Sequence, residues 1–210
     1  MAFTPFFAPG ALLGLALLAN SPVVAQPSAA EPLTTGEILR GRFILERHLA
    51  GFDKPLRSEG IFSLIPRHGL IWHAQKPFET TTVITTAGIS VRANGQETMR
   101  LLASRLPGID HLYEVLEDAV SGNIGALQED FSVTSSSDAK GWHLVLTPRH
   151  PNLPATSQIG HLTITGGRFV EQVDIERTGG DVDDLTFLDQ AEQPGPPTAD
   201  ENALLGAWRK

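Results

Sequence analysis

Seven histidines give this chain its widest range of possible chemistry. Two imidazoles on one helix can share a metal when they stand four residues apart. His48, His68, His73, His111, His143, His150 and His161 never take that spacing, so they read as ordinary strand and surface residues. Asp181-x-Asp183-Asp184 offers carboxylates to calcium. It lacks the glycine and the distal glutamate of a calcium loop, and reads as a solvated turn. There is no G-x-S-x-G, H-E-x-x-H, Walker loop or strand-borne G-x-G-x-x-G. With no cysteine, thiol nucleophiles, disulfides and thiolate metal sites are excluded. The expectation is a protein without catalysis, metal or cofactor, although a Ser-His-Asp grouping assembled only by folding stays open.

Such side chains would need elements to hold them. Residues 1–25 carry no charge and centre on the apolar run 11–19, with Pro22-Val23-Val24-Ala25 offering small residues at the −3 and −1 positions of a cut before Gln26. This reads as a secretory signal, too short for a membrane span, and the periplasm is the simplest destination. The formal charge of −8 disfavours binding to a nucleic-acid backbone and adhesion to a surface of anionic lipid headgroups.

From Arg40 onward the pattern is mostly strands. Gly41–Leu49, with Phe43, Leu45 and Leu49 on one face, is followed by Gly60–Ile65, Leu70–Gln75 and the Thr-rich Thr80–Thr86, a predicted antiparallel meander. Met99, Leu102 and Leu106, then Ile109, Leu112, Val115, Leu116, Ala119 and Val120, recur at intervals of three and four and predict helix, with Gly122 as its stop. Strands resume at Phe131–Val133, Trp142–Thr147, His161–Thr165, Phe169–Arg177 and Asp183–Leu188, with hairpin joints at Gly166-Gly167 and Gly179-Gly180. The domain is expected over 26–190. Residues 191–210 read as a Pro-rich linker and a short helix opened by the capping box Thr198-Ala199-Asp200-Glu201, with Leu204, Leu205 and Trp208 on one side.

One hairpin is unusual. Around Pro66-Arg67-His68-Gly69 stand Ile61, Phe62, Leu64, Ile65, Leu70, Ile71 and Trp72, apolar on both faces of the predicted strands. An ordinary two-layer α+β core and an internal ligand cavity both account for that excess.

Gly60-x-Phe62, the Pro66-Arg67 turn, Trp72-His73, Pro77 and Leu144-Val145-Leu146-Thr147-Pro148-Arg149, with Leu162-Thr163-Ile164 beyond, resemble the LolA family of periplasmic lipoprotein carriers in order and spacing, from about Arg40 to Leu188. The resemblance implies a mainly β (α+β) fold: a strongly curved antiparallel sheet forming an incomplete barrel, with helices covering its concave face. It implies a monomeric carrier that takes acylated lipoproteins from an inner-membrane release complex to an outer-membrane receptor. Phe62, Leu64, Leu70, Trp72, Leu144, Leu162 and Ile164 are then expected in the acyl-binding wall. Ile109, Leu112 and Leu116 become a movable cover, and Arg67 its latch. The order here is Pro66-Arg67 where the family has Arg-Pro, and Leu45 stands where the family often has Gln. A carrier of another acylated lipid or glycolipid is the nearest alternative, and a secreted hydrolase the more distant one.

Overall fold

The computed structural model describes residues 36–105, 127–128, 131–152 and 157–208. Strand alternation and tight turns build one antiparallel sheet from β1 (Glu37–His48), β2 (Leu56–Ile65), β3 (Gly69–Lys76), β4 (Thr80–Thr85), β5 (Gly88–Ala93), β6 (Gln96–Leu102), β7 (Phe131–Asp138), β8 (Gly141–Pro148), β9 (Ile159–Gly166), β10 (Val170–Arg177) and β11 (Val182–Pro194). Among the described residues there is one α-helix, α1 (Ala199–Gly206).

The spatial order is β6-β5-β4-β3-β2-β1-β11-β10-β9-β8-β7. Two meanders, β1–β6 and β7–β11, are joined by the first and last strands, which pair from Glu37↔Pro194 to His48↔Val182 with an irregularity between Arg40 and Arg42. β6 and β7 follow each other in the chain yet form the two opposite edges, so the sheet is not closed. Neighbouring strands rotate by roughly 20–25° each, and open sheets beyond about ten strands curl. An eleven-stranded sheet is therefore driven to coil.

Two predicted features change. Met99 and Leu102 belong to strand β6 and not to a helix. The Asn94-Gly95 pair before it, with φ of 51° and 75°, forms the left-handed corner of a two-residue hairpin that pairs β5 with β6. Helical spacing and strand alternation overlap in so short an apolar stretch, and the turn decides between them. Leu106, Ile109, Leu112, Val115, Leu116, Ala119, Val120 and Gly122 lie outside the described residues. The second change is that β11 runs past Gln190 to Pro194, so the first residues of the expected linker are a strand end pairing with Glu37–Arg40. Pro194 is tolerated because it is the last residue of the strand.

Candidate functional site: an apolar sheet face

Alternation assigns every strand residue to one of two faces. On the main face Leu39, Phe43, Phe62, Leu64, Leu70, Ala74, Trp142, Leu144, Leu146, Ile164, Val173 and Phe187 form one buried cluster, joined by Leu127 and Phe131, with Trp72 and Leu162 packed against it. The seven described residues expected in the wall are thus brought together in one packed cluster, although they come from two meanders. Aromatic rings knit the centre: Phe43 stacks on Trp72 with centroids 3.8 Å apart, and Phe62 meets Phe187 edge-on at 5.1 Å. β2 lies between β1 and β3, and the Phe43 partner on β2 is Gly60, which presents no side chain to keep the Phe43 and Trp72 rings apart.

Burial divides this face. Phe62, Leu64, Leu70, Leu144 and Ile164 are at most 5% exposed, so the centre of the face is closed to solvent. Toward β6 it is open. Leu70↔Ile84↔Ile89↔Leu101 and Trp72↔Thr82↔Val91↔Met99 form two cross-strand rows on the main face. Ile84, Ile89, Val91 and Leu101 are half-buried there, and Met99 is 41% exposed. The sequence reading missed Ile89, Val91, Met99 and Leu101. The alternation Ile89-x-Val91 and Met99-x-Leu101 around Asn94-Gly95 was the available signal.

The back face is arranged differently. Ile38, Ile65, Ile71 and Val83 are buried against Leu205 of α1, with Leu204 and Trp208 beside them. The doubly apolar hairpin is therefore one that packs on both sides, its odd and even residues serving different partners. Thr198 caps α1 and Glu201 completes the capping box. Glu201 also takes two hydrogen bonds from Arg40, at 2.9 Å from Nε and 2.7 Å from Nη2. Burial alone would raise the Glu201 pKa. Hydrogen bonds from Arg40, the Thr198 N–H and Ser63, with the Arg40 charge, outweigh that and bring it down to about 2. Gly69 leaves room for the docked helix, since a Cβ there would lie 2.7 Å from Leu205 Cδ2 and 2.8 Å from the Ile84 carbonyl oxygen. Arg100 reaches across to the Ala207 carbonyl at 3.1 Å and stacks over the Trp208 ring at 4.5 Å.

Arg67 occupies the exposed corner between β2 and β3 with φ of 62°, lining a hollow of about 340 Å³ with Ile38, Ile65 and Pro197. Three histidines stand beside acids on the back face: His48 Nε2 is 3.0 Å from Asp184 and His161 Nε2 3.1 Å from Glu176, while His73 Nδ1 is 2.8 Å from Thr81 Oγ1 and its Nε2 3.8 Å from Glu79. Among the described residues no three potential metal ligands cluster. Asp183 is not a solvated turn acid. It lies on β11, 3% exposed, between Arg47 (Nε at 2.6 Å) and Arg177 (Nη2 at 2.6 Å). Burial would raise its pKa, and the hydrogen bonds and charges of the two arginines win, leaving it lowered.

Residues 27–194 match the family model described as outer membrane lipoprotein carrier protein LolA-like. The chain belongs to the LolA-like family. α1 lies beyond the stretch that this LolA-like match covers. Among solved structures, a LolA superfamily protein of Nitrosomonas europaea is 11% identical, with 80% of this chain and 90% of that one covered and a TM-score of 0.42. LprF of Mycobacterium bovis is 11% identical over 78% of this chain and 89% of its own, with a TM-score of 0.37. An outer membrane lipoprotein-sorting protein domain of Vibrio parahaemolyticus is 8% identical, with coverages of 85% and 94% and a TM-score of 0.38. No curated protein sequence matches the chain.

Proposed function

We propose that this LolA-like chain is a periplasmic carrier that holds the acyl chains of lipoproteins on its main face and passes them toward the outer membrane. The observation that carries the reading is the gradation on that face, from the sealed wall at Phe62, Leu64 and Leu144 to the part-open rows at Ile84, Ile89, Val91 and Met99. Acyl chains would enter over the open wing and extend toward Trp72 as the sealed part opens. The stretch carrying Ile109, Leu112 and Leu116 links the two sheet edges, and its apolar periodicity suits it to be the movable cover, with Arg67 as the candidate latch.

Energetics favour partial holding. At about 0.8 kcal/mol per methylene, three chains of roughly 15 methylenes would contribute on the order of 36 kcal/mol gross. Reversible association saturates near 18–21 kcal/mol. A wall whose side chains pack on one another offsets the excess, because loading must displace contacts already made. Among the described residues no helix is long and apolar enough to cross a membrane. The donor and acceptor would be an inner-membrane release complex and an outer-membrane receptor, as in the carrier that gives the family its name.

The test is to incubate the purified protein with a membrane extract and identify what co-purifies by mass spectrometry. Acylated protein is the expected result. Free lipid or glycolipid would redirect the reading to another acylated cargo, and released fatty acid with turnover would replace it by a hydrolase.

A further inference from the structure

At one end of the main face the apolar surface gives way to three charges. Arg47 on β1 and Asp183 on β11 are direct cross-strand partners, and Ile175 on β10 is the Asp183 partner on the other side. By alternation Arg47 shares a face with Phe43 and Leu45, and Asp183 with Leu185 and Phe187. The cluster is thus continuous with the half-buried residues Leu45, Leu185, Ile175 and Leu162 at the margin of the wall. Leu56, the β2 partner of Arg47, is 60% exposed beside it.

Asp183 holds both guanidiniums through the same kind of atoms, accepting from Nε and Nη2 of Arg47 and from Nε and Nη2 of Arg177. A guanidinium has five N–H donors in a fixed fork. In both arginines Nη1 makes no hydrogen bond to a described residue, and the side chains are 42% and 30% exposed. Asp181 also lies near Arg47, and its carboxylate accepts the Ala50 N–H at 2.9 Å. Strand pairing alone does not call for this arrangement, because a buried carboxylate costs desolvation that an apolar side chain at position 183 would avoid. Two forks held still by a buried acid, with free donors at the margin of an apolar wall, form a preorganised anion contact.

We propose that Arg47 and Arg177, positioned by Asp183, bind the anionic head group, phosphate or carboxylate, of an amphiphile whose acyl chain lies on the main face. This rests on the acyl-carrier reading above and adds the chemical class of the polar end. Displacement of an uncharged fluorescent long-chain alcohol probe by dodecyl phosphate, by dodecanol and by inorganic phosphate reads it directly. The ester is expected to displace about tenfold more tightly than the alcohol, and Arg47→Gln and Arg177→Gln each to remove most of that preference while leaving dodecanol unchanged. Arg57→Gln is the control: it makes the same charge change near the same end of the sheet, on the back face, where Arg57 pairs with Glu46. Unchanged dodecanol binding shows that each variant has folded. Equal binding of ester and alcohol by the unaltered protein, an equal loss in Arg57→Gln, or inorganic phosphate binding as tightly as the ester would overturn the proposal. Failure of ester and alcohol alike to displace the probe would instead remove the acyl site on which it rests.

Discussion

The two faces of the β2–β3 hairpin both bury apolar side chains and pack in opposite ways. On the back face Ile65 and Ile71 meet a helix of the same chain, and every contact there fixes it: Leu205 seated over Gly69, Glu201 bound to Arg40, Arg100 over Trp208. On the main face Phe62, Leu64, Leu70 and Trp72 belong to a larger surface that is sealed at its centre and part-exposed toward β6. The difference teaches that apolar content does not mark a binding surface. What distinguishes the faces is whether charge, caps and close backbone approach hold the covering element down.

The largest expected effect comes from the shared foundation. Phe62→Ala removes a ring that packs on both Phe187 and Trp72, and should cost about 3–5 kcal/mol in urea unfolding. A loss below about 1 kcal/mol would mean that the main-face centre is not a packed core. Next is the staple of the back face. Glu201→Gln leaves Arg40 without its charged partner and should cost about 2–3 kcal/mol, with a shift in Trp208 fluorescence but unchanged acyl binding. Loss of acyl binding in that variant would show that the faces are coupled.

Acid addresses the same staple. The Glu201 carboxyl is depressed from 4.5 to about 2, so its contribution is fully present above pH 4.5 and is lost as pH falls toward 2. Trp208 emission followed from pH 6 to pH 2 should hold steady above 4.5 and change below it; a transition centred near pH 6 would contradict the pairing. The smallest effect on stability is expected on the open wing. Met99→Glu should alter unfolding by no more than about 0.5 kcal/mol yet weaken acyl-probe binding severalfold, since it puts a charge on the proposed entrance. Unchanged binding would move the entrance away from β6.

Much of this was legible because strands that face two environments alternate. Phe43-x-Leu45 and Leu144-x-Leu146 name their face without coordinates, and Thr198-Ala199-Asp200-Glu201 announces α1. What α1 covers was not legible, because Leu204, Leu205 and Trp208 would read the same on either side of the sheet. The β6 strand was missed where three apolar residues at helical spacing outweighed the Asn94-Gly95 corner. The end of β11 was hidden by proline-rich composition, its pairing with Glu37 being a contact that local pattern cannot report. Distance in sequence also concealed the Arg47–Asp183 pair, which looks like an acidic turn until β1 and β11 are laid together.

The three tryptophans offer the most direct test of which face takes the acyl chain, since Trp72 and Trp142 lie on the main face and Trp208 on the back. Single-tryptophan variants titrated with a fatty acid brominated along its chain should show strong quenching of Trp72, weaker quenching of the more deeply buried Trp142 and none of Trp208. Quenching of Trp208 with Trp72 unaffected would place the acyl chain beneath α1 and contradict the account.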